Sequence, residues 1–412
     1  MKPSNSLVSN IFNITVIVAA LGYFVDIYDL TLFLIVRTPS LEALGYHGDD
    51  LVTQGIYLLN MQVLGMVVGG IIWGIWGDKK GRLSVLFLTI LLYSLANIGN
   101  AYVQNIGQYA AMRFIAGVGL AGELGVGITL VAEVMETKRR GLGTSIVGVI
   151  GILGAVLGYK VASLFDWKVA YLVGGGLGLF LLILRIYVSE SGMFKKVKEQ
   201  VVSRGNIFFL FTDRKRFMKY LYCILLGVPV WYVIGILVNY SGDFASKALH
   251  ITGTIVSSKA VMYHYIGASI GSLIWSLAGQ WFQSRKKSLW LAMTVLVIFT
   301  TLFFSSFGFS PEAFYFIIFA LGIAQGYWII FVTVSSEQFG TNLRATVTTT
   351  TPNFVRGSVI LVAGLFKYLS FSAGLGIWEG ALYTGVLCIG LALFSLYKLD
   401  ETYHKDLDYL ET

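Results

Sequence analysis

Twelve apolar runs divide the chain, each long enough for a helix to cross a bilayer. They fall near 13–36, 53–76, 83–103, 107–133, 142–163 and 168–189, then near 218–240, 258–282, 288–308, 313–337, 345–369 and 377–397. About 20 residues at 1.5 Å each span roughly 30 Å of hydrocarbon, so every run predicts a spanning helix. The polar breaks are short apart from Glu190 to Phe217. There Lys195, Lys196, Lys198, Arg204, Arg214, Lys215 and Arg216 accompany Phe194, Val197 and Val201 at helical spacing, which predicts an interfacial helix tethering two halves. The expected organisation is an N-terminal six-helix bundle (1–189), a linker (190–217), a C-terminal six-helix bundle (218–397) and a tail (398–412).

Composition makes the bilayer the only workable solvent. Of the 412 residues 56% are hydrophobic and 13% charged, too little polar material to coat a water-soluble globule. Mean hydropathy is +0.75. The net charge of +8 comes from loop lysines and arginines, so nucleic-acid binding is not expected. The 47 glycines suit close helix packing in lipid. Cys223 and Cys388 lie inside apolar runs and read as small hydrophobes. Residues 1–12 lack an A-x-A-like site, so no cleaved leader is expected.

Basic residues set the expected orientation. Lys2, residues 77–82, Lys138 to Arg140, the linker, Arg285 to Lys287, Arg344 and the tail share one side. Arg37, Lys168, Lys247, Lys259 and Lys367 are on the other. The asymmetry predicts a multi-pass protein of the cytoplasmic membrane with both termini in the cytoplasm.

The break after the second run reads G-x-x-x-D-K-x-G-R, with Gly74, Asp78, Lys79, Gly81 and Arg82 at its fixed places. The glycines predict a tight reversal between antiparallel helices, and Asp78 is placed to meet a helix N-terminus or a basic partner. Two later breaks repeat each other. Glu133 precedes Arg140, and Glu337 precedes Arg344, by the same spacing. These nine residues are the expected conformational latch. The stretch at 279–287 sits where a second copy of the opening motif belongs but lacks its Asp and internal Gly.

Ionisable groups inside apolar runs cost at least ~2.5–3.5 kcal/mol each on insertion scales, so each needs a purpose. By depth, Asp29 and Arg113 should meet and form an ion pair, serving either proton coupling or a static lock between two helices. Asp26, three residues before Asp29, either extends that acidic site or faces a cavity. Glu123 stands near mid-membrane among Gly119, Gly122, Gly125 and Gly127, open to a proton-binding or a structural role. Arg356 lies roughly 17 Å into its run, with Asn353 one turn below and the threonines 348–351 beside it. As an unpaired guanidinium it would suit a substrate carboxylate; otherwise it serves an unseen acid. Tyr28, Trp231 and Tyr327 are candidate cavity aromatics, whereas His264 reads as a packed or solvated interfacial histidine. No metal, nucleotide or hydrolase constellation is evident, and no cofactor is expected.

The motif at Gly74 to Arg82 resembles the signature between helices 2 and 3 of the major facilitator superfamily. YDLTLF, RFIAGVGLAGE and SEQFGTNLRAT add to the resemblance, which extends over nearly the whole chain. Within the superfamily the chain looks like the metabolite, sialate or monocarboxylate:proton symporter branch. The resemblance implies an all-α fold of twelve transmembrane helices in two pseudo-symmetric six-helix bundles, and no enzyme activity. It implies a coupling pair at Asp29 and Arg113 and a second proton site at Glu123. Gly340 replaces a family proline, YVSESGMF is a degenerate P-E-S-P-R, and the Gly-Pro of drug antiporters is missing. The expected function is proton-coupled symport of a small organic anion by alternating access, by a monomer. The alternative is a porter or exporter of a neutral or zwitterionic solute such as a sugar, nucleoside or amino-acid derivative.

Overall fold

The computed structural model describes residues 14–135, 140–187, 205–406 and 408–411. Among these, regular structure is entirely helical. Twelve long helices follow in order: α1 (Ile14–Ala43), α2 (Gly48–Lys80), α3 (Arg82–Asn100), α4 (Ile106–Val134), α5 (Leu142–Leu164), α6 (Trp167–Leu184), α7 (Arg214–Val238), α8 (Ser257–Trp281), α9 (Arg285–Phe304), α10 (Pro311–Glu337), α11 (Arg344–Ser372) and α12 (Gly376–Lys398). Eleven are long and apolar enough to span a membrane. The exception, α8, has the length but carries His264, Ser269, Ser272 and Ser276 on its buried side. Most of the expected linker lies outside the described residues. Its end is a short turn, Phe209–Thr212, leading into α7.

Helix starts follow their caps. Asn105, Asp166, Asp213, Ser284 and Ser310 each accept a backbone N–H from the first turn of the helix they precede. The reversal after α2 is tighter than the sequence suggests. Asp78, Lys79 and Lys80 remain helical, and Gly81 alone, at φ 109°, turns the chain into α3. Gly74 is no part of that turn. It sits within α2, where a Cβ would press on the Thr346 backbone of α11.

The two halves repeat one packing device. Trp73 of α2 donates its indole N–H to Val118 O of α4 at 2.6 Å, and Trp275 of α8 donates to Ile323 O of α10 at 2.7 Å. Gly65 and Gly69 lie against the backbone of Phe114 and Val118, as Gly267 and Gly271 lie against Phe319 and Ile323. Small residues allow that contact, and the indole satisfies a carbonyl facing no water. Both partner helices are interrupted at matching depth, α4 at Ala121–Gly122 and α10 at Gly326–Tyr327. Broken helices of this kind cluster at cavities between repeats.

These glycines should be intolerant of side chains. Gly271→Leu would force α8 from α10, at about 1–3 kcal/mol or more, whereas Gly390 on α12 faces open space. Gly271→Leu is expected to melt at clearly lower temperature in detergent than wild type, and Gly390→Ala near wild type. Equal melting of all three would refute the packing assignment.

Candidate functional site

Between the halves lies a small pocket of about 50 Å³. Tyr23, Ile27 and Leu30 of α1 and Ile152 of α5 form its N-terminal wall. The C-terminal half supplies Val230, Trp231 and Ile234 from α7, His264, Tyr265 and Ala268 from α8, Gln325 and Trp328 from α10, and Arg356 from α11. Pro229 and the π-helical turn Val233–Val238 interrupt regular winding in α7 beside it.

Asp26 and Arg356 meet at the pocket, one from each half. Arg356 Nη2 donates to Asp26 Oδ2 at 3.3 Å, and both side chains are buried. Arg356 Nη1 donates to Asn353 Oδ1 at 3.2 Å. Asn353 in turn donates to Ala121 O at the break in α4, at 2.8 Å, and to Thr349 O, at 2.7 Å. Asn353 therefore positions the guanidinium and is not itself part of the pocket wall. Asp26 Oδ1 is buried without a hydrogen bond. The expectation of an unpaired Arg356 is thus corrected: an acid that sequence alone could not place neutralises it.

Asp29 turns to the other partner. Three residues rotate a helix by about 300°, so the two acids diverge by roughly 60° around α1. Arg113 Nη2 donates to Asp29 Oδ1 at 3.4 Å, as matching depth predicts, and to Asn97 Oδ1 at 3.3 Å. Gln62 Oε1 accepts from Nη1 at 3.4 Å, and the rings of Phe33 and Tyr171 flank the guanidinium.

Glu123 does not approach Arg113. It pairs with Arg185, just beyond α6, and accepts a 2.5 Å hydrogen bond from Thr89 of α3. Arg185 also donates to Leu86 O. Gly22 makes room, since a Cβ there would strike both charged groups. Arg185 was missing from the sequence reading. Its signal was a lone charge between Leu184 and Ile186, inside the sixth apolar run.

At the basic end, Asp78 caps the opposite half. Its carboxylate accepts from Ala345 N at 3.0 Å, Thr346 N at 2.8 Å and Thr346 Oγ1 at 2.7 Å, closing the N-terminus of α11. Glu133 joins Arg82 at 2.9 Å to Arg344 at 3.2 Å, across the same seam. Lys79 is exposed with no ion pair among the described residues, and the side chain of Arg140 lies outside them.

Glu337 works within its own half, pairing with Arg285 at 3.4 Å and accepting from Thr402 at 2.7 Å. The Asp missing from the second motif copy is replaced by Glu401 of the tail. Glu401 accepts from Arg285 N, Lys286 N and Ser284 at the start of α9. Partial burial opposes its ionisation, yet these hydrogen bonds hold Glu401 below the ordinary carboxylate range. The tail continues along the α10–α11 loop, where Tyr409 donates to Gln338 O and Glu411 exchanges hydrogen bonds with Asn342.

Two expected cavity aromatics pack elsewhere. The Tyr28 hydroxyl donates to Ala170 O of α6, and that of Tyr327 to Leu226 O of α7, both fully buried. Trp231 does line the pocket, and Trp328 takes the place foreseen for Tyr327. The threonines 348–351 are buried toward the basic end, outside the pocket wall; Thr350, for one, accepts from Tyr220. His264 is no interfacial residue: it is buried and lines the pocket.

Known proteins agree with this architecture. The proton:xylose symporter XylE bound to 6-bromo-6-deoxy-D-glucose superposes with a TM-score of 0.75 over 98% of both chains, at 15% identity. In sequence, the niacin transporter NiaP of Acinetobacter baylyi is 34% identical over 37% of this chain, a match spanning 34% of that protein. The putative niacin/nicotinamide transporter NiaP of Bacillus subtilis is 23% identical over 79% of this chain and 83% of its own length. The sequence profile of the Major Facilitator Superfamily matches residues 19–375, so the chain belongs to that family of membrane transporters.

Proposed function

We propose that this transporter is a proton-coupled symporter of a small organic anion, a ring-bearing carboxylate. It works as a monomer in the cytoplasmic membrane, with the basic end and both termini in the cytoplasm. The boundaries expected above, 1–189 and 218–397, are the two rocking bodies. The observation that carries the reading is the Asp26–Arg356 pair, which joins the halves at the pocket. A substrate carboxylate competes with Asp26 for the guanidinium. Once displaced from the guanidinium, the buried Asp26 is better neutral, so it takes a proton as the anion binds. Anion and proton then cross together without net charge.

Supporting observations point the same way. Tyr23, Trp231, Tyr265 and Trp328 give the pocket aromatic walls suited to a flat ring, and niacin appears in the names of both relatives. Asp29 with Arg113 forms a second exchangeable pair, and Glu123, held by Arg185 and Thr89, completes the acidic side of α1 and α4. The latch supports an assignment of state. Cross-half hydrogen bonds run from the pocket level at Asn353 and Arg356 down to Asp78 and Glu133. With that end shut, substrate enters from the far side, and release requires the latch to part. One alternative keeps specific support: an Asp26–Arg356 pair beside the pocket also matches a zwitterion.

Proteoliposome uptake of a carboxylate panel under an imposed acid-outside gradient tests the reading. Gradient-stimulated uptake of carboxylates is expected, and transport only of neutral or zwitterionic solutes would refute it. In Asp29→Asn, gradient-driven accumulation should vanish while substrate exchange persists. Asp26→Asn should bind carboxylates at least as tightly as wild type, with a flatter pH profile; wild-type pH dependence in both would remove these acids from coupling.

Losing one charge-assisted contact costs about 1.5–3 kcal/mol, roughly 10- to 150-fold in affinity. Arg356→Ala should show that loss, and Arg356→Lys a smaller one, since Lys keeps the charge without the fork. Titration calorimetry giving one affinity for all three proteins would sink the anion site.

Asp78→Asn should weaken the cap on α11 and favour opening at the basic end. Labelling of cysteines introduced in the two mouths of the cavity reports this, and an unchanged pattern would count against the latch.

A further inference from the structure

Three polar atoms in the C-terminal wall of the pocket are buried without a well-formed hydrogen bond: His264 Nδ1 on α8 and Gln325 Oε1 on α10, whose side chains lie beside each other, and Trp231 Nε1 on α7. Gln325 cannot turn to relieve this. Its amide nitrogen donates to Pro229 O at 2.9 Å and Val230 O at 3.3 Å, so the nitrogen must face α7 and the oxygen is left over as an acceptor. Those two bonds lock the side chain beside the irregular stretch of α7. The indole of Trp231 offers a fixed donor, and His264 Nδ1 donates or accepts according to its tautomer. His264 is held in place by close packing, because Gly322 of α10 lies directly against its carbonyl.

Buried polar groups are normally well paired, and three without a well-formed bond, on separate helices facing one pocket, are not explained by packing. Elsewhere in the molecule the same indole chemistry is satisfied, by Val118 O for Trp73 and by Ile323 O for Trp275. Trp231 differs in facing the pocket.

Resting on the carboxylate reading above, we infer that His264, Gln325 and Trp231 form a second recognition point, which selects substrates by a neutral hydrogen-bonding group on the ring. Arg356 takes the carboxylate; these three read a ring nitrogen or hydroxyl elsewhere on the same molecule. A bare hydrocarbon ring leaves all three groups unpaired and is rejected for that reason, not by size. Sites built to hydrogen-bond a substrate group discriminate strongly against analogues lacking it.

The test compares benzoate with pyridine-3-carboxylate and with 3- and 4-hydroxybenzoate, by calorimetry on the purified protein. Wild type should bind at least one polar-ring carboxylate roughly tenfold or more tighter than benzoate. In His264→Phe, close to the native shape, and in the smaller Trp231→Phe, that ratio should fall toward one; Gln325→Met should do the same if it folds. Melting curves without ligand confirm that each variant is folded. Equal affinity of wild type for benzoate and every polar analogue overturns the second recognition point while leaving the carboxylate reading standing. Folded variants that keep the wild-type ratio overturn it as well. A wild type that binds none of the four carboxylates, yet binds neutral solutes, overturns both.

Discussion

Hydrocarbon tolerates an ionised side chain only in company, and the architecture answers to that constraint at every depth. Asp26 is matched by Arg356, Asp29 by Arg113, Glu123 by Arg185, and Glu133 by Arg82 and Arg344. Each pair joins different helices, so neutralising a charge also fixes which helices are neighbours. Removing one member is far costlier than the pair's net worth suggests, because it leaves its partner buried and alone. The pairs divide into two kinds. Those of Asp29 and Glu123 close within the N-terminal half, whereas those of Asp26 and of Glu133 with Arg344 cross between halves and must break when the halves separate.

The interior of each half is built to resist such rearrangement. Glycines on α2 and α8 bring them within backbone contact of α4 and α10, and Trp73 and Trp275 bind carbonyls across both contacts. Each half is thereby packed as a unit, which suits the proposed motion at the seam between them. The seam is asymmetric. Asp78 of the first half caps α11 of the second, whereas the corresponding loop before α9 has no carboxylate of its own and is capped by Glu401 from the tail. The second copy of the motif therefore ties the tail to its own half instead of tying the halves together.

On the proposed function, the Asp26–Arg356 pair also accounts for how the arginine is tolerated in the pocket. An arginine awaiting an anion would be costly to bury, so an internal carboxylate holds it, and binding becomes an exchange of one acid for another. In the proposed symport, that exchange links substrate to proton. On the inference drawn above, the neutral groups His264, Gln325 and Trp231 gain well-formed bonds only from a ligand, at a smaller cost than a lone charge.

Depth was legible in the sequence. Twelve apolar runs set the spans, loop charges marked one end as basic, and counting residues along α1 and α4 was enough to bring Asp29 to Arg113. Even the Asp78 cap followed from a carboxylate beside a turn near a helix start. What counting cannot supply is azimuth, the direction a side chain faces around its helix relative to the other helices. That is set only when glycine contacts and the interruptions at Ala121–Gly122, Gly326–Tyr327 and Val233–Val238 fix how each helix is rotated. Azimuth sent Asp26 to Arg356 and Glu123 to Arg185, and buried Tyr28 and Tyr327 while aiming Trp328 and His264 into the pocket. Sequence determined how deep each group lies, because helical rise is constant; tertiary structure decided what it meets, because partners come from packing between helices distant in the chain.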